Sequence, residues 1–314
     1  MCTVPVSCLA YDMFDVRISV PGNLTMRLAS DGKAGFDRRE KLLMGAYLPG
    51  AKVTFGRKRK ADITLRHIES KARRILLRRN AVYLRDRWHA CSLDFWHAAY
   101  SLVRARLAAK RLYAAHAACV GRRGYALIAG HSGAGKTSIA IKLARSQGMR
   151  VFSGNKTVVS FGSNGTMLAH AGTRVMTLHA ADYYASKTHA ARSVSYQDRI
   201  AFEFPAQYQC QASVVPIAAI ALLSSRNGRN IVCTRLKAEQ ALHALYPILL
   251  DALSADTIVC DGNGVLIGST PDGAKRHLAG RLTQTLTRIP VYVLSGPVSK
   301  VARVIASFRL KSVI

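Results

Sequence analysis

The chain has 314 residues, 49% of them hydrophobic, with glycine and proline scattered and not gathered in any long tract. That is enough apolar material to bury a full core, which excludes a disordered class, and no apolar run reaches the eighteen or so residues of a helical membrane span. The formal net charge of +29 attracts polyanions and acidic partners with a strong salt dependence, without selecting among them.

The opening MCTVPVSCLAYDMFD lacks a basic n-region, so no secretory signal is expected. Residues 1 to about 65 read as short strands and turns: Val16 to Val20 before Pro21-Gly22, Leu24 to Leu28 before Asp31-Gly32, and Lys52 to Phe55 before the basic run Arg57-Lys58-Arg59-Lys60. Ile75, Leu76, Val82 and Leu84 permit a strand pair turning at Asn80, and Phe95 to Ala118 is expected to be helical. Tyr83 and Trp88 beside Arg85 and Arg87 are the one interleaving of aromatic and basic residues that would suit nucleic acid. Seven cysteines show neither a C-x-x-C pair nor zinc-like spacing, which fits a reducing cytoplasm.

Tyr125 to Gln147, YALIAGHSGAGKTSIAIKLARSQ, breaks an apolar run with a glycine loop and resumes with helical spacing. Gly130, His131, Ser132, Gly133, Ala134, Gly135, Lys136 and Thr137 satisfy G-x-x-x-x-G-K-[ST], the P-loop or Walker A pattern, in which backbone N–H groups turn inward around phosphate oxygens. Lys136 would reach the terminal phosphates and Thr137 would offer its hydroxyl to Mg²⁺. Ser138 continues the cradle into a helix whose positive end faces the same anion.

Beyond the loop, Val151-Phe152 enters a second strand, and Lys156 to Phe161 with Thr166 to Ala169 flank the hairpin signal Gly162-Ser163-Asn164-Gly165. Ile200, Phe202 and Phe204 alternate with Ala201 and Glu203 as in a strand with one wet face. Val214 to Leu223 reads as a buried strand that Pro216 would confine to an edge or a late start. Ile231 to Thr234, a helix from about Ala238 interrupted by Pro247, a hairpin about Asp261-Gly262-Asn263-Gly264, a helix after Thr270-Pro271, a strand Val291 to Leu294 and a terminal helix complete the chain. The fold class expected is α/β, with a mixed, hairpin-rich sheet carrying the loop and a smaller amino-terminal α+β module. The soft boundary between the two falls near residues 108–109.

Phosphoryl transfer also needs a held metal and a proton acceptor. Between Asp94 and Asp182 the sequence has no acidic residue. Asp261 ends an apolar run as a metal ligand would, and it equally opens a hairpin turn. Asn155 could lend a neutral oxygen to Mg²⁺, or could serve a turn. His131 in the loop and His116 before its strand are candidate proton acceptors. Asp182, Asp198 and Glu203 read as solvated or paired acids.

The run from Leu112 to Val159, with His116, the Gly130–Thr137 loop and Val151 to Asn155, resembles the nucleotide-binding segment of HPr kinase/phosphorylase-like proteins. The likeness extends over about residues 105–310. It implies ATP with Mg²⁺ as donor and a hydroxyl acceptor. The family's paired aspartates after the second strand fall at Gly154 and Asn155 here, and the loop's second position, often Asp in founding members, is His131. The expectation is therefore an ATP-dependent kinase acting on an acidic peptide, a protein or a phosphorylated small molecule, in which Lys136, His131 and His116 act catalytically. A catalytically impaired nucleotide-binding regulator and a nucleic-acid-binding NTPase are the alternatives, and a homo-oligomer is compatible with either reading.

Overall fold

The structure, a computed structural model, describes residues 12–21, 23–30, 38–54, 61–71, 74–78, 81–86, 88–186, 190, 192–225, 229–250, 259–260, 266–267 and 270–308. It is a mixed α/β protein built on several sheets.

The amino-terminal part contains β1 (Asp12–Ile18), β2 (Leu24–Ser30), α1 (Arg38–Tyr47), β3 (Ala51–Thr54), β4 (Ile63–Glu69), β5 (Arg74–Arg78), β6 (Ala81–Asp86) and α2 (Trp88–Ala109). The six strands form one sheet in the order β3-β1-β2-β4-β6-β5. Alternation works as a period of two requires: Val16, Ile18, Leu24, Met26, Leu28, Ile63 and Leu65 are buried together with Leu43 of α1 and Trp96, Tyr100 and Val103 of α2. The indole N–H of buried Trp96 donates to the buried Glu40 carboxylate at 2.7 Å, so these two groups satisfy each other inside the core. The helix expected to run to Ala118 stops at Ala109. Arg111 turns left-handed at φ 59°, and Tyr113 to Ala115 pair with the strand containing Thr157 to Val159, so tertiary pairing overrides the helix preference of alanine.

The remainder contains β7 (Tyr113–Ala115), β8 (Ala117–Gly121), β9 (Tyr125–Gly130), α3 (Lys136–Gln147), β10 (Arg150–Ser153), β11 (Thr157–Phe161), β12 (Met167–Gly172), β13 (Val175–His179), α4 (Ala180–Ala185), β14 (Ser193–Tyr196), β15 (Arg199–Glu203), β16 (Val215–Ser225), β17 (Val232–Arg235), α5 (Ala238–Leu250), β18 (Val259–Cys260), β19 (Leu266–Ile267), α6 (Asp272–Leu286), β20 (Val291–Ser295) and α7 (Val298–Ser307). Strand β16 is the spine of a nine-stranded sheet, parallel to β9 on one side and to β20 on the other, while its first residues pair antiparallel with β12. Pro216 therefore sits in a central strand and not at a sheet edge. It is the second residue of β16, opposite Leu168, and pairing with β9 begins only at Ile217, so the missing N–H falls ahead of that ladder.

Residues alternate across this sheet. Leu127, Ala129, Ile220 and Leu222 pack with Leu245 and Leu249 of α5 and Leu278 and Leu282 of α6. Ala126, Ile128, Ala221 and Leu223 pack with Ile139 and Leu143 of α3 and Val301 and Ile305 of α7. A third sheet, β13-β15-β14, lies over that second layer. The wet face expected of β15 holds only at its ends: Ile200 and Phe202 enter the α3 side, Arg199 and Glu203 on the other face are half-exposed, and Ala201 between them joins the amino-terminal core with Val175 and Tyr196. Strands β18 and β19 pair antiparallel; Asp261 lies outside the described residues.

Candidate functional site

Strand β9 is buried along almost its whole length and delivers Gly130 to the edge of a cleft. Gly135 at φ 98° precedes the first residue of α3, a conformation that strains any residue with a Cβ. Lys136 is buried and its ammonium donates to the carbonyls of Gly130 at 2.8 Å and His131 at 2.9 Å, so the side chain lies back over the loop. The start of the twelve-residue helix α3 opens onto the same cleft, and its N–H groups are the fixed positive end of the site.

Thr137 donates its hydroxyl to the Gly154 carbonyl at 3.4 Å, joining the helix to the turn after β10. That turn is tightly held. Thr173 accepts the N–H of Asn155 at 3.0 Å and of Lys156 at 3.1 Å on its buried hydroxyl, and Ser153 donates to the Lys156 carbonyl at 2.6 Å. Gly154 is packed so that a Cβ would lie 2.5 Å from Met176 Cγ, so this position admits no carboxylate without moving the buried Met176. Asn155 donates its amide to the Ala46 carbonyl of α1 at 3.2 Å, and Lys156 lies 4.2 Å over the ring of Tyr100 in α2. The amino-terminal helices thus brace the back of the site. His116 shares a side-chain hydrogen bond with Asn155. Burial, then the Lys156 and Lys136 ammonium groups, hold its pKa well below the usual imidazole value, which keeps the ring neutral at pH 7.

Around these groups the structure places a shallow, largely polar cleft open to solvent. It is lined by Lys136, Thr137, His116 and Asn155 on one side and by Thr177, His179, Asp182 and Arg199 on the other. His131 is exposed and contributes its carbonyl to Lys136; its side chain is not among the lining groups.

The second set is what sequence reasoning missed. Of the three acids read as solvated or paired, Glu203 pairs with Arg192 at 2.6 Å and Asp198 with His179 at 2.8 Å, but Asp182 faces the cleft. No local pattern marks these residues, because only the antiparallel pairing of β13 with β15, His179 opposite Arg199, brings them to one end of a sheet. The oxygens present, a threonine hydroxyl, an asparagine amide and one carboxylate, suit a Mg²⁺ ion that arrives on phosphates and keeps part of its water shell. Among the described residues no three His, Cys, Asp or Glu side chains cluster as a free-standing metal centre. Among the described residues no helix is long and apolar enough to cross a membrane. No protein-family model matches the chain, and no curated protein matches it.

Proposed function

We propose that this protein is a cytoplasmic ATP-dependent kinase that transfers the γ-phosphate to a hydroxyl of an acidic peptide, a protein or a phosphorylated small molecule. In this reading residues 109–314 form a P-loop, HPr-kinase-like nucleotide-binding domain, and residues 1–108 form a module that helps select the acceptor. The observation that carries it is the shared cleft: Lys136, folded over the glycine loop, faces the same space as a neutral imidazole, a carboxylate and an arginine. Groups so placed opposite a phosphate-binding loop are what transfer from its phosphates requires.

The loop N–H groups and Lys136 bind the β and γ phosphates. Thr137 and Asp182, with Asn155 beside them, would hold the Mg²⁺ that neutralises phosphate charge when bound. As the acceptor oxygen forms its bond to γ-phosphorus, the bond from γ-phosphorus to the β–γ bridging oxygen breaks and ADP keeps the electron pair. The hydroxyl proton passes to His116, whose low basicity rises once anionic phosphates offset Lys136 and Lys156. The exposed His131 side chain has no role in this scheme.

A second reading, a nucleotide-binding regulator without turnover, draws support from the packing of Gly154, which leaves the second strand's end without a carboxylate. Labelled ATP with Mg²⁺, offered with fractionated host extract to wild type and to Lys136→Ala, separates the two. Label entering a peptide or metabolite fraction with wild type alone is the expected result. Tight ATP binding with neither transfer nor hydrolysis overturns the kinase and leaves the regulator.

A further inference from the structure

Strand β14 turns into β15 through Gln197 at φ 51° and Asp198. The tip of this hairpin is fastened to the start of α4, since Ala180 N–H donates to the Asp198 carbonyl at 2.9 Å and His179 Nδ1 lies 2.8 Å from Asp198 Oδ2. Arg199, the first residue of β15, therefore follows a residue that is tied to the start of α4 through both its carbonyl and its carboxylate, and this aims it. Its guanidinium lines the cleft and donates Nη2 to the Ser132 hydroxyl at 3.4 Å, across 67 residues of sequence, while Nε stands 3.9 Å from Asp198. Both contacts are long. They are weak enough to be exchanged for charge-assisted bonds to an anion, and a guanidinium fork matches phosphate oxygens better than a hydroxyl. Ser132 belongs to the loop that Lys136 closes from the other side, so phosphates lying on the loop would have an ammonium beneath them and a guanidinium at their rim.

We propose that Arg199 is a catalytic residue, supplied by the chain itself, that leaves Ser132 and binds the oxygens of the transferring γ-phosphoryl group. The assignment rests on the kinase reading above. In the step described there, the γ-phosphoryl sits between the forming bond to the acceptor oxygen and the breaking bond to the bridging oxygen. Arg199 neutralises charge on its equatorial oxygens while the electron pair moves to ADP and the proton to His116. A guanidinium in this role contributes most in the transition state and little to ground-state nucleotide binding.

The test needs no acceptor. Calorimetry compares the binding of ADP with that of ADP plus aluminium fluoride, a planar mimic of the transferring phosphoryl, both with Mg²⁺, in wild type, Arg199→Ala and Arg199→Lys. Arg199→Ala is expected to weaken the aluminium fluoride complex by about 100-fold and ADP alone by less than about threefold, with free guanidinium restoring part of the loss. Retained ADP affinity doubles as the check that the variant folds. Should Arg199→Ala not fold, Arg199→Lys keeps the charge and the apolar stem and is expected to lose about tenfold on the mimic alone. Equal losses for both ligands mean that Arg199 only shapes the loop, which overturns the proposal and leaves the kinase standing. Wild type that binds ADP but gains nothing from aluminium fluoride also overturns it, and wild type that binds no nucleotide sinks the kinase reading itself.

Discussion

The two walls of the cleft are built in opposite ways. The loop wall is centred on one continuous stretch, β9, the glycine loop and the first turn of α3, with His116 and Asn155 beside it, and the groups of that stretch reach their places through bonds between near neighbours, such as Lys136 to Gly130 and His131. The facing wall gathers Thr177, His179, Asp182 and Arg199 from a strand, a short helix and a second strand, and sheet pairing, packing and the tethers at Asp198 hold them together. A grip on phosphate can be encoded locally, because the backbone of a short loop and a helix end supply it. In the kinase reading, the groups that would act on the phosphate are set by long-range packing.

That contrast can be broken most severely at Phe202. It is fully buried in β15 on the face toward α3, with its ring 5.0 Å from that of Tyr183. Phe202→Ala is expected to cost about 3–5 kcal/mol in urea unfolding, because the cavity lies where three segments meet. A cost below about 1 kcal/mol would mean that the facing wall is not a packed body. Thr173 offers the next largest effect. Its hydroxyl accepts the Asn155 and Lys156 N–H groups, and Thr173→Val keeps the shape while removing the acceptor, so a loss of about 1–3 kcal/mol is expected by the same measurement. An unchanged unfolding curve would show that the turn bearing Asn155 is held by its other bonds.

A smaller effect is read in pH. The folded pKa of His116 is depressed below its unfolded value near 6.5, through burial and the neighbouring Lys156, Lys136 and Arg199, with the Asn155 hydrogen bond opposing them. Below about pH 6.5 the unfolded chain takes up a proton that the folded chain refuses. Stability from this group is thus fully present above that pH and is lost as pH falls toward the folded pKa, at about 1 kcal/mol per pH unit. His170 and His277 are shifted the same way by burial, so the informative quantity is the slope of wild type minus that of His116→Gln between pH 7.5 and pH 5.5, chosen about one unit either side of the ordinary imidazole value. Identical slopes would mean that His116 is open to solvent.

The sequence made the loop wall legible almost completely: the glycines, Lys136, Thr137 and the helix after them lie where the motif and the apolar spacing put them. His116, singled out just before the loop's strand, and Asn155, at the end of the next one, also line the cleft. The facing wall was hidden. Asp182 and Arg199 look like ordinary surface charges in sequence, and the pairing that makes them neighbours depends on the register of β13 against β15. The same limit explains one fold-level error: the alanines after α2 carry a helix preference that the pairing of β7 with β11 overrides.

The hairpin tip sharpens the comparison with the smallest expected change in stability. Asp198 is exposed, and its contact with His179 is an exposed pair of the kind that adds little to folding, so Asp198→Asn should leave the unfolding midpoint where it is. Its partner's proton holds the Asp198 carboxyl below the usual carboxylate range, so the pair persists throughout the neutral range and is lost only as pH falls through that lowered value. What Asp198 does fix is direction: it holds the His179 ring at Nδ1 and stands on one side of the Arg199 guanidinium. Phosphate transfer by Asp198→Asn should therefore fall about three- to tenfold, equally at pH 6.5 and pH 8, with ADP affinity unchanged. A fall in the midpoint comparable to that of Phe202→Ala would make the tip a structural staple. No change in transfer would make the facing wall a passive lining and leave catalysis to the loop.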